Sequence, residues 1–251
     1  MQILDDLCIG CGTCLIYCPS GAIGLENDVA TINTESCVEC GTCVRVRCCP
    51  TEAIQPSSLK GTPREIRSFF SDPAITHGQT SVPGRGTEEV KTNDVTGRFK
   101  KGYVGIGIEV GRPSLGAYME DVERITTPLA SMGIRVESNN PLAHLLESRE
   151  TGRIKEQYRR ERVTSIIIEF TVPESRVEEV LLRLKDLFDE GETTFTLDLI
   201  THFDEAGNIP MWSRLVDLGY TPRPNAKINL GLGRPLAEER DRETPGGGLG
   251  I

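Results

Sequence analysis

No cysteine follows residue 49, although the chain has nine and runs to residue 251. Any metal or disulfide framework is therefore confined to residues 8–49. No apolar run approaches the roughly 20 residues that a bilayer span requires. Basic residues are scarce where the cysteines are. Arg45 and Arg47 are the only ones in residues 1–56, against Asp5, Asp6, Glu26, Asp28, Glu35, Glu39 and Glu52. The net charge of −9 argues against nucleic acid or an anionic membrane as main partner. The opening MQILDDLC places two acids where a secretion signal would be basic, so an untargeted, cytoplasmic protein is expected. Glycine-rich pieces such as GLGRP lack G-x-G-x-x-G ahead of a helix, and GRGTEEVKTNDVTG lacks phosphate-loop spacing. Charged residues at 26% and hydrophobic ones at 37% fit a soluble globular protein, and 251 residues suffice for two domains.

What is present is a repeat. Residues 8–23 read CIGCGTCLIYCPSGAI, and residues 37–54 read CVECGTCVRVRCCPTEAI. Both contain C-x-x-C-G-T-C and later C-P-x-x-A-I, the mark of an internal duplication. The first copy keeps C-x2-C-x2-C-x3-C-P. A secreted disulfide framework is one use for many cysteines, but cysteines in series two residues apart suit a metal site. Thiolate ligation then requires a reducing compartment. Zinc is a further possibility for any C-x-x-C pair. Three thiolates at these gaps can wrap one face of an iron–sulfur cubane, each reaching a different iron. Gly12 and Gly41 lack a Cβ, so the backbone can turn tightly and bring amides toward the sulfurs. Pro19 and Pro50 are expected to start short helices, SGAI and TEAI.

This arrangement closely resembles the bacterial-type ferredoxin with two [4Fe-4S] clusters, over residues 1–56. The resemblance implies that the fourth cysteine of each run serves the other cluster. Cluster I then takes Cys8, Cys11, Cys14 and the last ligand of the second motif. Cluster II takes Cys37, Cys40, Cys43 and Cys18. The second copy departs from the pattern, with four residues between Cys43 and Cys48, or five to Cys49, where three are expected. Aligning the C-P step selects Cys49 for cluster I, leaving a two-residue bulge and Cys48 spare. The opposing alignment binds Cys48 and leaves Cys49 idle. Arg45 and Arg47 fall on this bulge. They are either solvated, or a positive charge raising the potential of cluster I, or the edge of a docking surface. Between the motifs, AIGLENDVATIN predicts a hairpin turning at Asn27-Asp28. Ile23, Leu25, Val29 and Ile32 would cover the clusters.

The remainder reads as a second unit. Residues 55–63 look like a linker, and 64–72 give one or two helical turns. Residues 73–102 form a long polar loop with few apolar side chains, suited to a partner or ligand. Strands are expected at 103–110, 134–138, 165–172, 194–203 and 226–232, and helices at 114–132, 174–190 and 211–218, with Pro128 as a possible kink. Pro141–Arg162 is charged and helical in part. The order fits an α+β fold: a two-cluster module, then an α/β sandwich with a mainly antiparallel sheet. The division expected is 1–56, a connector and loop at 57–102, the sandwich at 103–233 and a mobile tail at 234–251. One sheet face would carry Gly105, Gly107, Glu109, Glu169, Asp198, His202, Lys227, Asn229 and Gly231. It would be solvated, or packed against a partner or the long loop. GRP recurs at 111–113 and 233–235, so Arg112 and Arg234 either bind an anion or simply follow a strand end.

Residues 64–135, including GRGTEEVKTNDVTGRFKKGYVGIGIEVGRPSLG, also resemble the iron–sulfur protein of 6-hydroxynicotinate reductase. That resemblance implies a related electron-delivery or substrate-binding component. The leading expectation is an electron-transfer protein or subunit that serves a redox partner or catalytic reductase subunit, in a possible hetero-oligomer. One alternative is a reductase component acting on a small, possibly N-heteroaromatic substrate, with His77 or His202 as proton donor. Another is a redox sensor. Catalytic residues are otherwise unassigned.

Overall fold

The computed structural model describes residues 1–78, 100–112 and 116–223. The cysteine-bearing segment holds β1 (Gln2–Ile3), β2 (Ile23–Glu26), β3 (Val29–Ile32), α1 (Thr42–Arg45) and β4 (Ile54–Gln55). β1 pairs antiparallel with β4, tying the two ends of the segment together. β2 and β3 form the expected hairpin. Asn27 and Asp28 turn it at φ +51° and +61°, the left-handed pair whose twist matches that of the flanking strands.

The duplication is written in the backbone. Gly10 and Glu39 both take positive φ (+66° and +56°), as do Gly12 and Gly41 (+70° and +68°) and Gly21 and Glu52 (+64° and +57°). Helical structure falls one step earlier than expected, starting at the threonine just before the third cysteine of each copy. It is a 3-10 turn at Thr13–Tyr17 in the first and α1 in the second. After Pro19 and Pro50 the chain makes only a turn. The left-handed Gly21 and Glu52 lead it into β2 and β4 instead of a helix. The hairpin register also corrects the expected cover. Leu25 stands opposite Ala30, and Glu26 opposite Val29, so Ala30 and not Val29 shares the inner face. Ile23 and Ala30 are buried, whereas Leu25 near the tip is 43% exposed.

The larger unit is built on β5 (Tyr103–Val110). After it come β6 (Ala117–Tyr118), α3 (Met119–Ser131), β7 (Arg162–Val163), β8 (Ile166–Pro173), α4 (Val177–Asp189), β9 (Phe195–Ile200) and α5 (Pro210–Asp217). β5 is the centre of an antiparallel sheet with β8 and β9 on its two sides. Alternation sends Val104, Ile106, Ile108 and Val110 to one face, beside Ile166, Ile168, Phe170 and Val172. All are buried in one core with Val122, Ile125 and Leu129 of α3 and Val180, Leu181 and Leu184 of α4. Each such side chain contributes about 2 kcal/mol by leaving water. A further helix, α2 (Glu65–Ser71), precedes this unit in sequence but joins its core through Ile66 and Phe70.

Two expectations change here. Residues 134–138 make no strand, because Glu137 gives β8 a single backbone bond, its N–H donating to the Glu169 carbonyl at 2.8 Å. The second sheet face is not open around Glu109 and Glu169, which are 6% and 2% exposed. Asn140 lies against it, donating to the Ile167 carbonyl at 3.1 Å and to Glu169 Oε2 at 3.4 Å. Pro141–Arg162 supplies 3-10 turns at Pro141–Leu145 and Glu156–Tyr158, then β7. α3 runs through Pro128 to Ser131. The strand expected at 226–232 and the bulk of the long polar loop lie outside the described residues.

Candidate cysteine-lined cluster sites

Two small cavities open between the motifs. One is lined by Cys8, Cys11, Cys14 and Cys49, with Ile3, Ile9, Ala30 and Ile54 among its apolar neighbours. The other is lined by Cys18, Cys37, Cys40 and Cys43, with Ile23, Ile32 and Val38. Each thus draws three cysteines from one copy and one from the other. None of the nine cysteines is in a disulfide.

Local structure aims hydrogen-bond donors at these sulfurs. The Ala22 N–H donates to Cys18 Sγ at 3.1 Å and the Ala53 N–H to Cys49 Sγ at 3.2 Å, the same step of four residues in both copies. The Ala30 N–H reaches Cys8 Sγ at 3.3 Å from across the hairpin. Hydroxyls stand two residues after four of the cysteines. Thr13, Thr42, Ser20 and Thr51 lie 3.3–3.6 Å from Cys11, Cys40, Cys18 and Cys49. That pattern was legible as C-G-T and C-P-[ST]; Ala30, which depends on the hairpin register, was not. Amides donating to Cys8, Cys18 and Cys49, with hydroxyls beside Cys11, Cys18, Cys40 and Cys49 that can donate once those thiols ionise, fit iron–sulfur clusters in apolar linings, whose potential such bonds tune. A tetrahedral zinc would instead draw its four sulfurs to about 3.8 Å of one another. Among the described residues, no group of three or more His, Cys, Asp or Glu side chains is placed to hold a single metal ion.

The two adjacent cysteines differ. Cys49 lines the first cavity, whereas Cys48 lines neither and turns its Sγ to the Cys43 carbonyl at 3.4 Å. Burial opposes ionisation of Cys49, yet the Thr51 hydroxyl and the amides of Thr51, Ala53 and Ile54 together hold its thiol below the usual range. Burial pushes the Cys48 thiol up. The Thr13 hydroxyl draws Cys11 down, while burial raises Cys14 and Cys37 and takes Cys43 up to about 11. A buried thiol of that kind ionises when a cation compensates its charge, which iron does. The two extra residues of the second copy fall after its helical turn, which is α-helical where that of the first copy is 3-10. Val46 and Arg47 follow α1, with Arg47 at φ +49° leading back to Cys48.

The second cavity is clamped from outside by α2 and its flanks. Arg64 forms an ion pair with Glu39, which is 1% exposed and also takes the Met1 amine at 2.5 Å. Arg67, 2% exposed, donates to the carbonyls of Cys37 at 2.8 Å and Thr34 at 2.7 Å. Its Nε donates to Glu161 Oε2 at 2.5 Å, on the stretch just before β7. Asp72 pairs at 2.5 Å with Arg45, whose other nitrogen donates to the Cys40 carbonyl at 2.7 Å. Arg45 therefore stands at the Cys37–Cys43 loop and not beside the first cavity. Sequence reasoning missed this clamp; its only trace was the pair of arginines in REIR directly after the linker.

The other singled-out residues do not join these cavities. His77 is 6% exposed, edge-on to Phe69 and 5.5 Å from the His144 ring. His202 is exposed, past the end of β9. Arg112 donates to Glu109 at 3.1 Å. Arg234, Lys227, Asn229 and Gly231 lie outside the described residues.

Residues 7–67 match the family described as the 4Fe-4S dicluster domain. The ferredoxin-like protein in the vnf region of Azotobacter chroococcum is 40% identical over 53 residues, which cover 20% of this chain and 82% of that one. A subunit of the ion-translocating oxidoreductase complex of Methanosarcina acetivorans is 46% identical over 48 residues, 19% of this chain and 17% of that protein. The pyruvate synthase subunit PorD of Methanothermobacter marburgensis is 38% identical over 50 residues, 20% and 56% of the two chains. The chain thus spans less than two thirds of both these complex subunits. No solved structure matches it. No described helix is long and apolar enough to cross a membrane. Through its cysteine-bearing segment the chain belongs to the 4Fe-4S dicluster family, with two [4Fe-4S] clusters.

Proposed function

We propose that the chain is the electron-transfer subunit of a larger oxidoreductase, passing low-potential electrons one at a time to a partner reductase. Cys8, Cys11, Cys14 and Cys49 hold cluster I, and Cys37, Cys40, Cys43 and Cys18 hold cluster II. The observation that carries this is the crossed lining of the two cavities, three cysteines from one copy and the fourth from the other. Ile3, Ile9 and Ile54 on one side, and Ile23, Ile32 and Val38 on the other, limit water at the sulfurs. Relatives named as complex subunits support a partner-bound role. Residues 1–56 form the cluster module, 57–102 a connector whose α2 packs into the next unit, 103–233 an α/β sandwich that positions the partner, and 234–251 a tail.

Anaerobic affinity purification of the full chain with identification of co-purifying proteins tests this. A flavoprotein or catalytic subunit in stoichiometric amount is expected. Catalytic reduction of a small oxidant by the dithionite-reduced chain, with no other protein present, contradicts it and favours a self-contained reductase.

A further inference from the structure

Three arginines reach the loop from Thr34 to Cys43, and they differ in where their carboxylates stand. The partner of Arg64 is Glu39, which belongs to the loop itself and is 1% exposed. The partner of Arg45 is Asp72, whose Oδ2 would lie 2.5 Å from a Cβ at Gly41, so this carboxylate also stands against the loop. In both cases cation and anion meet at the loop, and their fields there largely cancel. Arg67 is arranged differently. Its Nη1 donates to the carbonyls of Thr34 at 2.7 Å, Glu35 at 3.4 Å and Cys37 at 2.8 Å. Its Nε donates at 2.5 Å to Glu161 Oε2, 94 residues further on. The N–H bonds of Nε and Nη1 diverge in the planar guanidinium, so the positive charge stands between the loop and the carboxylate. Arg67 is 2% and Glu161 8% exposed, so water and salt screen this pair little. A guanidinium keeps its proton there.

We infer that Arg67 raises the reduction potential of cluster II, and that Glu161, from the unit that follows, limits the rise. The inference rests on the reading of Cys18, Cys37, Cys40 and Cys43 as cluster ligands. Reduction brings one electron from a low-potential one-electron donor to a site already made negative by its thiolates. No bond is made or broken and no proton moves. Burial of the loop, with Cys37 at 9% and Val38 at 1% exposure, opposes the added charge. A buried cation hydrogen-bonded to the Cys37 carbonyl favours it. Residues 1–44 carry no lysine or arginine, so α2 supplies a cation that this part of the cysteine-bearing segment lacks. An electronic property of the cluster module is thereby set from outside it, by α2 and by the stretch just before β7.

Potentiometric titration of the full chain, followed by electron paramagnetic resonance, reads the two one-electron steps. Arg67→Met should lower one step about tenfold in its equilibrium, which is about 59 mV for one electron. Glu161→Gln keeps an oxygen for Arg67 Nε and removes the negative charge. It should raise the same step, by less, because the carboxylate stands farther from the loop. The other step should stay in place in both variants. A disturbed loop would move both variants the same way, so the opposite signs are a readout that a structural role does not produce. Both shifts should persist at about 1 M salt, where the Debye length is about 3 Å, because the pair is buried. Should Arg67→Met lose iron, Glu161→Gln decides alone: a raised step supports the proposal, and an unmoved or lowered one overturns it. Shifts of the same sign, or equal movement of both steps, also overturn it. Iron is counted on the same samples, and far fewer than about eight per parent chain sinks the two-cluster reading instead.

Discussion

Cys48 and Cys49 are neighbours with opposite surroundings, and a single atom distinguishes their roles. A serine at 49 removes the sulfur that lines the first cavity and accepts from Ala53; a serine at 48 removes one turned to a carbonyl. Cys48→Ser should therefore keep full iron content, and Cys49→Ser should lose about half of it, measured as iron per chain after anaerobic purification. The reverse pattern would place the ligand at 48. The sequence favours 49 because proline and the A-I step fix the frame of the motif. At Gly41 the sequence showed a tight turn but not its neighbour. A Cβ there would lie 2.5 Å from Asp72 Oδ2 and 2.7 Å from Arg45 Nη1, at φ +68°. Gly41→Ala should lower stability by roughly 1–2 kcal/mol from backbone conformation alone, with more from the displaced ion pair. Thermal unfolding followed at the cluster absorbance checks this.

At the scale of elements, α2 carries consequences that its seven residues did not announce. Arg67 is buried between two carbonyls near Cys37 and the carboxylate of Glu161. Arg67→Met leaves Glu161 buried without its partner and should cost about 3–5 kcal/mol. Arg67→Met/Glu161→Leu should recover part of that loss, because no lone charge then remains. Equal losses in the single and double variants, read from unfolding midpoints, would show that the ion pair is not the source. The long strands and α4 were legible because alternation and 3.6-residue periodicity act over many residues. The short stretch 134–138 was not, because one backbone bond cannot define a strand. Helices were expected after the prolines because Pro often begins one; the left-handed residues two positions later override that preference.

Across the whole molecule, two cores of unequal size share the chain. The smaller consists of Cys14, Ile23, Ala30 and Ile54 with flanking residues, several of them cysteines; the larger spans the sheet, α2, α3 and α4. A core that small does not hold a segment by apolar burial alone. Iron removal by anaerobic chelation should therefore abolish hydrogen-exchange protection in β2 and β3 while β5 and β8 stay protected. Uniform loss across both units would mean that they fold as one. The duplicated cysteine pattern revealed the chemistry of the smaller core, because ligand spacing is local. The contacts between the two units join residues far apart in sequence, as Arg67 and Glu161 do, and no spacing rule exposes them.

The central claim is that the crossed cysteine sets hold two four-iron clusters. Iron and acid-labile sulfide per chain, measured on anaerobically purified protein, test it most directly. The expected result is about eight of each; about four of each, or zinc without sulfide, would contradict it.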